Sequence, residues 1–134
     1  MKIIHATGKR KTARARATLR DGDGVIKINK VLVDNIQTEM LRLKVKEVVN
    51  LSEDLIKKIN IDVIVQGGGV NGQIEAARQA IAKGLVVWSK SNKLKETFAR
   101  YDKSLLVYDP RRTEPHKESR SCKGPRRKRQ SSKR

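Results

Sequence analysis

Two short segments near the start of the chain alternate between apolar and polar positions. Residues 12–20, TARARATLR, place alanine or leucine at every second position, with arginine or threonine between them. Because successive side chains of a strand point to opposite faces of a sheet, this alternation predicts a half-buried strand with an arginine-rich outer face. Residues 2–7, KIIHAT, predict a partner strand, and the turn between the two strands carries three positive charges at 9–11.

The middle of the chain predicts two more strands and three helical segments. The turn signal at 21–24, Asp-Gly-Asp-Gly, is followed by VIKIN, which predicts a third strand over 25–29. Residues 34–59 show a broken 3.6-residue apolar period, with Asp34 as a candidate N-cap and an interruption at 50–52. The other predicted elements are a strand at 61–66, the clearest helix at 71–90 and a short helix at 93–102.

The order β-β-β-α-β-α predicts an α+β fold, with a small, mostly antiparallel sheet and helices packed on one of its faces. From Pro110 onward the only apolar side chain besides the prolines is Cys122. Such a segment buries too little apolar surface to offset its ordering entropy. We therefore expect a globular domain over residues 1–109 and an extended basic tail over 110–134 that is disordered without RNA.

Composition changes this picture, because the chain carries a large excess of positive charge. Its 134 residues include 32 Lys and Arg against 14 Asp and Glu, a net charge of +18. Eleven of the basic residues, and only two of the acidic ones, lie in the segment 110–134. Self-repulsion of this size opposes compaction, and a polyanionic partner that releases counterions offsets it. Nucleic acid is the first partner expected, and an anionic membrane surface is the second.

Other classes of function find little support in the sequence. No apolar run approaches the roughly 20 residues that cross a bilayer, and the first residues do not resemble a signal peptide. A single cysteine, Cys122, excludes an intramolecular disulfide and a thiolate zinc site. His5 and His116 are the only histidines, and the carboxylates are spread over helix faces. We therefore predict no enzyme activity, no metal site and no cofactor.

The glycine-rich segment at 67–72, GGGVNG, matches the G-x-G-x-x-G pattern of dinucleotide-binding turns. The acidic residue that this pattern requires about 20 residues further on is absent, which disfavours a nucleotide-dependent enzyme. Two other interpretations remain open. The glycines close a tight turn between a strand and a helix, or they bring free N–H groups at a helix N-terminus to an RNA phosphate.

Three collinear motifs resemble the small-subunit ribosomal protein S-nine family in its archaeal form. They are GKRKTARARATL, then IDVIVQGGGVNGQIEAARQAIAKGL, and finally YDPRRTEPHK followed by GPRRKRQSSKR. The resemblance implies an S5 domain-2-like fold and a cytoplasmic location in the head of the small ribosomal subunit. It also implies binding to small-subunit ribosomal RNA beside neighbouring ribosomal proteins, no membrane partner, and a tail whose tip approaches P-site tRNA.

The resemblance further implies roles for individual residues. The tRNA-facing pair would be Lys133 and Arg134. The residues expected to contact ribosomal RNA are Lys9, Arg10, Lys11, Arg14, Arg16, Gly67, Gly68, Gly69, Arg111, Arg112, Arg126, Arg127, Lys128 and Arg129. Ser131 stands where the family often has Phe, which favours phosphate contacts over a base contact there. The alternative hypothesis is a free-standing nucleic-acid-condensing protein, which requires only the charge.

Overall fold

Five strands and four helices follow one another along residues 2–118 and 120–124, the part of the chain that the computed structural model describes. The strands are β1 (Ile3–Arg10), β2 (Ala13–Asp21), β3 (Ile26–Ile28), β4 (Val31–Leu32) and β5 (Ile59–Gln66). The helices are α1 (Glu39–Asn50), α2 (Glu53–Ile56), α3 (Val70–Ser89) and α4 (Asn92–Tyr101). Short 3-10 turns at Val33–Asn35 and Lys103–Leu105 complete the regular structure of these residues.

The strands form one mixed sheet in the order β1-β2-β5-β3-β4. β2 is antiparallel to both β1 and β5, and β3 is antiparallel to β4. β5 is parallel to β3, and the connection between these two strands contains α1 and α2. The predicted fold class is confirmed: the chain forms an α+β domain with a mostly antiparallel sheet and helices packed on it.

The alternation in β2 and β5 determines which face of the sheet is buried. The core-facing residues of the two strands are Ala13, Ala15, Ala17 and Leu19 on β2 and Ile59, Ile61, Val63 and Val65 on β5. They join the buried residues of α1 and α3 in one apolar core. The arginines of β2 point to the opposite face and are exposed. The helices therefore leave the arginine-bearing face of the sheet uncovered within the described residues.

α3 packs so closely on β1 that glycine is required at position 8, and it packs on the Leu19 side chain of β2 through Gly84. A methyl group at Gly8 would overlap the carbonyl oxygen of Ala76 and lie 2.7 Å from the backbone nitrogen of Ala80. A methyl group at Gly84, on the helix, would overlap the side chain of Leu19. At Gly8 the backbone of the helix therefore lies directly on the backbone of β1, which fixes the position of α3 over the strands.

The structure differs from the predicted elements just after β3. Asn29 and Lys30 both have positive φ, at 50° and 68°, and reverse the chain into β4, which the prediction missed. The Asn29 side chain donates to the Val65 carbonyl and accepts from the Val65 N–H, at 3.2 and 2.8 Å. Asp34 does not cap the following helix. It lies in a 3-10 turn and pairs with Lys46 at 2.7 Å, and α1 begins only at Glu39.

The second difference concerns the residues before β5. Ile59 was predicted to be helical but begins β5, because α2 is a single turn that ends at Ile56. The predicted interruption at 50–52 is confirmed: α1 ends at Asn50, and the Ser52 hydroxyl donates to the Val48 carbonyl at 2.6 Å. Asn60, the second residue of β5, accepts hydrogen bonds from the N–H groups of Asp23 and Val25. It thereby holds the loop between β2 and β3.

The chain leaves the folded body at Asp109, which forms an isolated parallel bridge with Arg10. Between Pro110 and Gly124, the described residues contain turns but neither a helix nor a strand. The division into a domain over 1–109 and a tail over 110–134 stays a prediction. None of the described helices is long and apolar enough to cross a membrane.

We predict that Gly8→Ala destabilises the domain by about 1–3 kcal/mol, the usual cost of overpacking a core. The physical reason is that the backbone of α3 has no room to move away from the added methyl group. Gly72→Ala is the matched control, since its methyl group would make only ordinary contacts at 3.7 Å. Because alanine fits the helical backbone at position 72, in the first turn of α3, this change is expected to stabilise by up to about 1 kcal/mol. Urea denaturation measures both, and equal free energies of unfolding would contradict the prediction.

Candidate nucleic-acid interface

The described residues that were expected to bind RNA meet at one end of the sheet, which we call the basic corner. It consists of the β1–β2 turn at 11–12 with the adjoining strand residues 9–10 and 13–16, the glycine turn at 67–69, and the segment 108–112, which we call the exit segment. Arg14 at the start of β2 pairs with Gln66 at the end of β5, so the two turns lie side by side. The bridge between Arg10 and Asp109 brings in the third segment. Strand pairing thus gathers parts of the chain that are distant in sequence.

The three glycines of this corner have different physical roles. Gly67 and Gly68 have φ of 77° and 70°, a region that favours glycine. A methyl group on Gly67 would lie 2.8 Å from the Thr12 carbonyl oxygen, and one on Gly68 would lie 3.1 Å from the Ala13 nitrogen. Gly69 has φ of −92° and nothing within 4 Å of the position of its missing methyl group. The fold itself requires Gly67 and Gly68, whereas Gly69 faces open space.

α3 begins at this corner without a capping side chain. Gly69 is its N-cap residue, and its first turn, Val70, Asn71 and Gly72, contains no acidic residue. The 20-residue helix therefore presents uncompensated N–H groups and the positive end of its dipole. Lys11 is exposed in the adjacent turn and adds a full positive charge. This arrangement attracts an anion such as a phosphate.

A shallow groove at the outer edge of β1 is lined by four cations and no carboxylate. The cations are Lys9, Arg14, Arg16 and Lys83, and Tyr108 lies among them. The sequence prediction included three of these cations but missed Lys83 and Tyr108. Lys83 lies four residues after Gln79 on α3, and Gln79 accepts a hydrogen bond from the backbone of Lys9 at 2.9 Å. The four-residue spacing puts Lys83 on the same side of α3 as Gln79, and therefore next to β1. The spacing is visible in the sequence, whereas the contact between Gln79 and β1 is visible only in the structure.

Arg10 points inward and is engaged in ion pairs. Its Nε donates to Glu75 Oε2 at 2.8 Å, and its Nη1 lies 3.1 Å from Asp109 Oδ2 without a well-aligned hydrogen bond. Only 17% of its side chain is exposed. Lys44 on α1 also reaches Glu75, at 3.5 Å. Arg10 therefore joins β1, α3 and the exit segment, and much of its charge is compensated within the protein.

The exit segment is held by a second set of contacts around Tyr108 and Asp109. Arg111 Nε donates to Asp109 at 2.9 Å and its Nη2 donates to the same carboxylate at 2.7 Å, a two-pronged pair. Arg112 donates to the Tyr108 hydroxyl at 2.7 Å, and the Lys9 ammonium lies 5.7 Å from the centre of the same ring. Arg111 keeps 79% of its side chain exposed, so it remains accessible to a partner.

These contacts shift the pKa values of the carboxylates that hold the corner. The hydrogen bonds from Arg111, with the nearby charge of Arg10, lower the pKa of Asp109 to about 2. Burial raises the pKa of Glu75, but the hydrogen bond from Arg10 and the charge of Lys44 outweigh it and hold this pKa below its ordinary value. Both carboxylates are therefore ionised at neutral pH and retain their cationic partners.

The remaining predicted site residues lie outside the described residues. They are Arg126, Arg127, Lys128, Arg129, Lys133 and Arg134. Within residues 2–118 and 120–124, no group of three or more His, Cys, Asp or Glu side chains is arranged to hold a metal ion. The described part of the site is thus built from cations, glycine backbone and a helix N-terminus.

We predict that Arg111→Ala raises the pKa of Asp109 toward its ordinary value of 3.8, because the Arg111 hydrogen bond is the largest cause of the shift. Arg112→Ala is the matched control, since Arg112 binds Tyr108 instead. An NMR pH titration of the Asp109 carboxyl carbon measures both variants. In the folded protein the pKa of Asp109, about 2, lies below its reference value of 3.8. The ion pair with Arg111 therefore stabilises the exit segment fully above about pH 4, and this stabilisation is lost as the pH falls toward 2. Identical midpoints in the two variants would contradict this assignment.

Comparison with known proteins identifies the family of the chain. The family model described as "Ribosomal protein S9/S16" matches residues 8–134 of the chain. The small ribosomal subunit protein uS9 of Methanococcus maripaludis strain C7 is 46% identical over 132 residues, which cover 98% of each chain. The protein of the same name from Methanococcus vannielii is also 46% identical, with the same coverage. The chain therefore belongs to the ribosomal protein S9/S16 family.

Proposed function

We propose that the protein is a structural component of the head of the small ribosomal subunit, that it binds the subunit RNA, and that the tip of its tail contacts P-site tRNA. Its family is one of structural ribosomal proteins that act in translation in the cytoplasm, and not of enzymes. The observation that carries the proposal is the end-to-end match to small-subunit proteins, 98% of both chains, combined with the basic corner. Its partners would be ribosomal RNA, P-site tRNA and neighbouring ribosomal proteins.

The chemistry of the basic corner supports RNA as the partner. Lys9, Lys11, Arg14 and Arg16 form no ion pair among the described residues, so their charges are available to phosphates. The open space at Gly69 lets an RNA backbone approach the uncapped N-terminus of α3. Each phosphate that these groups neutralise releases counterions, which gives an affinity that falls with salt. The corner is thus suited to holding a folded RNA rather than to reading bases one by one.

The second part of the proposal concerns the tail. Residues 110–134 would follow a path through the RNA, with the basic run at 126–129 on ribosomal RNA and with Lys133 and Arg134 on tRNA. The charge of this segment supports the proposal, since it combines eleven basic residues with only two acidic ones. The described exit segment supports it too, because the contacts of Arg10 and Asp109 start the tail at the basic corner.

We predict that the protein co-sediments with small ribosomal subunits in moderate salt, because several phosphate contacts are made at once. The competing hypothesis, a free-standing condensing protein, predicts equal affinity and equal salt dependence for small-subunit RNA and for duplex DNA of random sequence. Sucrose-gradient sedimentation and filter binding at several salt concentrations separate the two hypotheses. A protein that remains at the top of the gradient would overturn the proposal.

We predict that deletion of Lys133 and Arg134 weakens the binding of tRNA to the P site of reconstituted subunits and leaves the melting temperature of the free protein unchanged. The deletion removes two positive charges from a segment, 110–134, whose sequence contains no large apolar side chain that could join the core. Lys57→Gln with Lys58→Gln is the matched control, because it removes two charges from an exposed site beside α2. The terminal assignment fails if the deletion and the control have the same tRNA affinity.

A further inference from the structure

The face of the sheet opposite α1 and α3, which we call the open face, carries a set of cations that extends beyond the basic corner. These cations are Arg14, Arg16 and Arg20 on β2, Lys27 on β3 and Lys30 in the turn after it, and all five are exposed. Within the described residues, none of them forms an ion pair. The last three lie away from the corner, and the proposed function assigns them no role.

Strand order arranges these cations in two rows. β5 lies between β2 and β3, so the row on β2 and the row at β3 are about 10 Å apart, twice the spacing of neighbouring strands. Between the rows, β5 presents Asp62 and Ile64 to the solvent, and 61% of Ile64 is exposed. Asp62 pairs across the sheet with Thr18 on one side and Lys27 on the other. The open face is therefore a strip with cations along both margins and an apolar residue and a carboxylate between them. Arg20, Lys27, Lys30, Asp62 and Ile64 line a common recess on this face.

The chemistry of this strip favours an RNA double helix over a single strand. Proteins that bind single strands stack bases on aromatic side chains, and the five strands contain no Phe, Tyr or Trp. The minor groove of an A-form helix is wide and shallow, has phosphates along both margins and displays ribose 2′-hydroxyl groups between them. Cations along both margins of the strip, with a hydrogen-bond acceptor between them, are complementary to that surface.

Asp62 indicates which group of a nucleic acid the strip would contact. A carboxylate repels phosphates, and among the described residues Asp62 makes no ion pair that would compensate for this repulsion. An ionised carboxylate only accepts hydrogen bonds, so its partner on a nucleic acid must be a donor. The 2′-hydroxyl is such a donor, and it is the group that distinguishes RNA from DNA.

We infer that the open face docks on the minor groove of an RNA double helix, with Arg20, Lys27 and Lys30 on phosphates and with Asp62 accepting a hydrogen bond from a ribose 2′-hydroxyl. This inference rests on the proposed function and specifies the kind of RNA that the sheet contacts. It makes the sheet a second RNA surface, separate from the glycine turn and the tail.

The first test is a triple variant of the full chain, Arg20→Gln with Lys27→Gln and Lys30→Gln. The matched control is Arg100→Gln with Lys93→Gln and Lys95→Gln, which removes the same three charges from exposed positions on α4. Filter binding to protein-free small-subunit RNA is measured from low to high salt. The open-face variant is expected to reduce the slope of log affinity against log salt by about 2 to 3, since each lost phosphate contact contributes about 0.9. The control is expected to change the slope by less than 1.

Hydroxyl-radical footprinting of the same complexes locates the contact, because these radicals attack riboses from the minor groove. The wild-type protein is expected to protect riboses on both strands of one helix. The open-face variant should lose that protection and keep the protections made by the corner and the tail. An unchanged footprint and slope would overturn the inference, and it would leave the face available to a neighbouring protein instead.

The second test isolates Asp62 with the protected helix prepared as a short duplex. Replacing the protected 2′-hydroxyl groups by hydrogen one at a time, which leaves the duplex in A-form geometry, should at one position weaken wild-type binding about tenfold or more, the usual effect of losing a hydrogen bond to a charged group. Asp62→Ala should bind the RNA and the deoxy-substituted duplex equally. If the wild-type protein and Asp62→Ala discriminate equally between the RNA and the deoxy-substituted duplex, the role assigned to Asp62 is wrong. Sedimentation with subunits tests the proposed function separately, so wild-type co-sedimentation with an unchanged open-face footprint rejects this inference alone.

Discussion

The close contact between α3 and the first two strands is the constraint on which the rest of the structure depends. Gly8 allows the backbone of the helix to lie on β1, and Gly84 makes room for Leu19 of β2. Because this contact fixes the position of α3, it also fixes the positions of the side chains on the other faces of the helix. Glu75 meets Arg10, Gln79 meets the backbone of Lys9, and the N-terminus of the helix lies at the glycine turn. The geometry of the basic corner is thus a consequence of core packing.

Ion pairs on the helical side of the sheet reduce the self-repulsion of a chain with a net charge of +18. Several described carboxylates lie on the helical side, where they compensate partly buried cations: Glu75 pairs with Arg10 and Lys44, and Arg78 pairs with Glu47 and Asp102. The exposed cations of the sheet have no such partners among the described residues. The protein therefore satisfies its interior charges internally and leaves its surface charges for a polyanion. Arg10 belongs to the compensated group, because Glu75 and Asp109 pair with its guanidinium.

The sequence predicted the elements with regular apolar periods and failed where a single side chain decides the path of the chain. β2, β5 and α3 follow from strict periods of two and of about 3.6, which the core enforces. The hairpin at β3 and β4 depends on Asn29, which adopts positive φ and binds the backbone of Val65, a partner 36 residues away. No local pattern contains that partner. The same holds for Asp34, because its interaction with Lys46 exists only once α1 has folded.

The candidate site was predictable as a list of cations but not as a surface. Period-two alternation placed Arg14 and Arg16 on an exposed face, and the structure agrees. Sequence could not show that Arg10, four residues before Arg14, turns inward to Asp109, because that contact joins the two ends of the domain. The sequence also could not show which of the three glycines the fold requires. Gly67 and Gly68 have positive φ and lie close to Thr12, so both positions require glycine. Position 69 has neither feature. A side chain at 69 would therefore cost the fold little, and what it would obstruct is the approach of another molecule to the N-terminus of α3. Position 69 is thus the place in this motif where the proposed RNA contact, and not the fold, would require glycine.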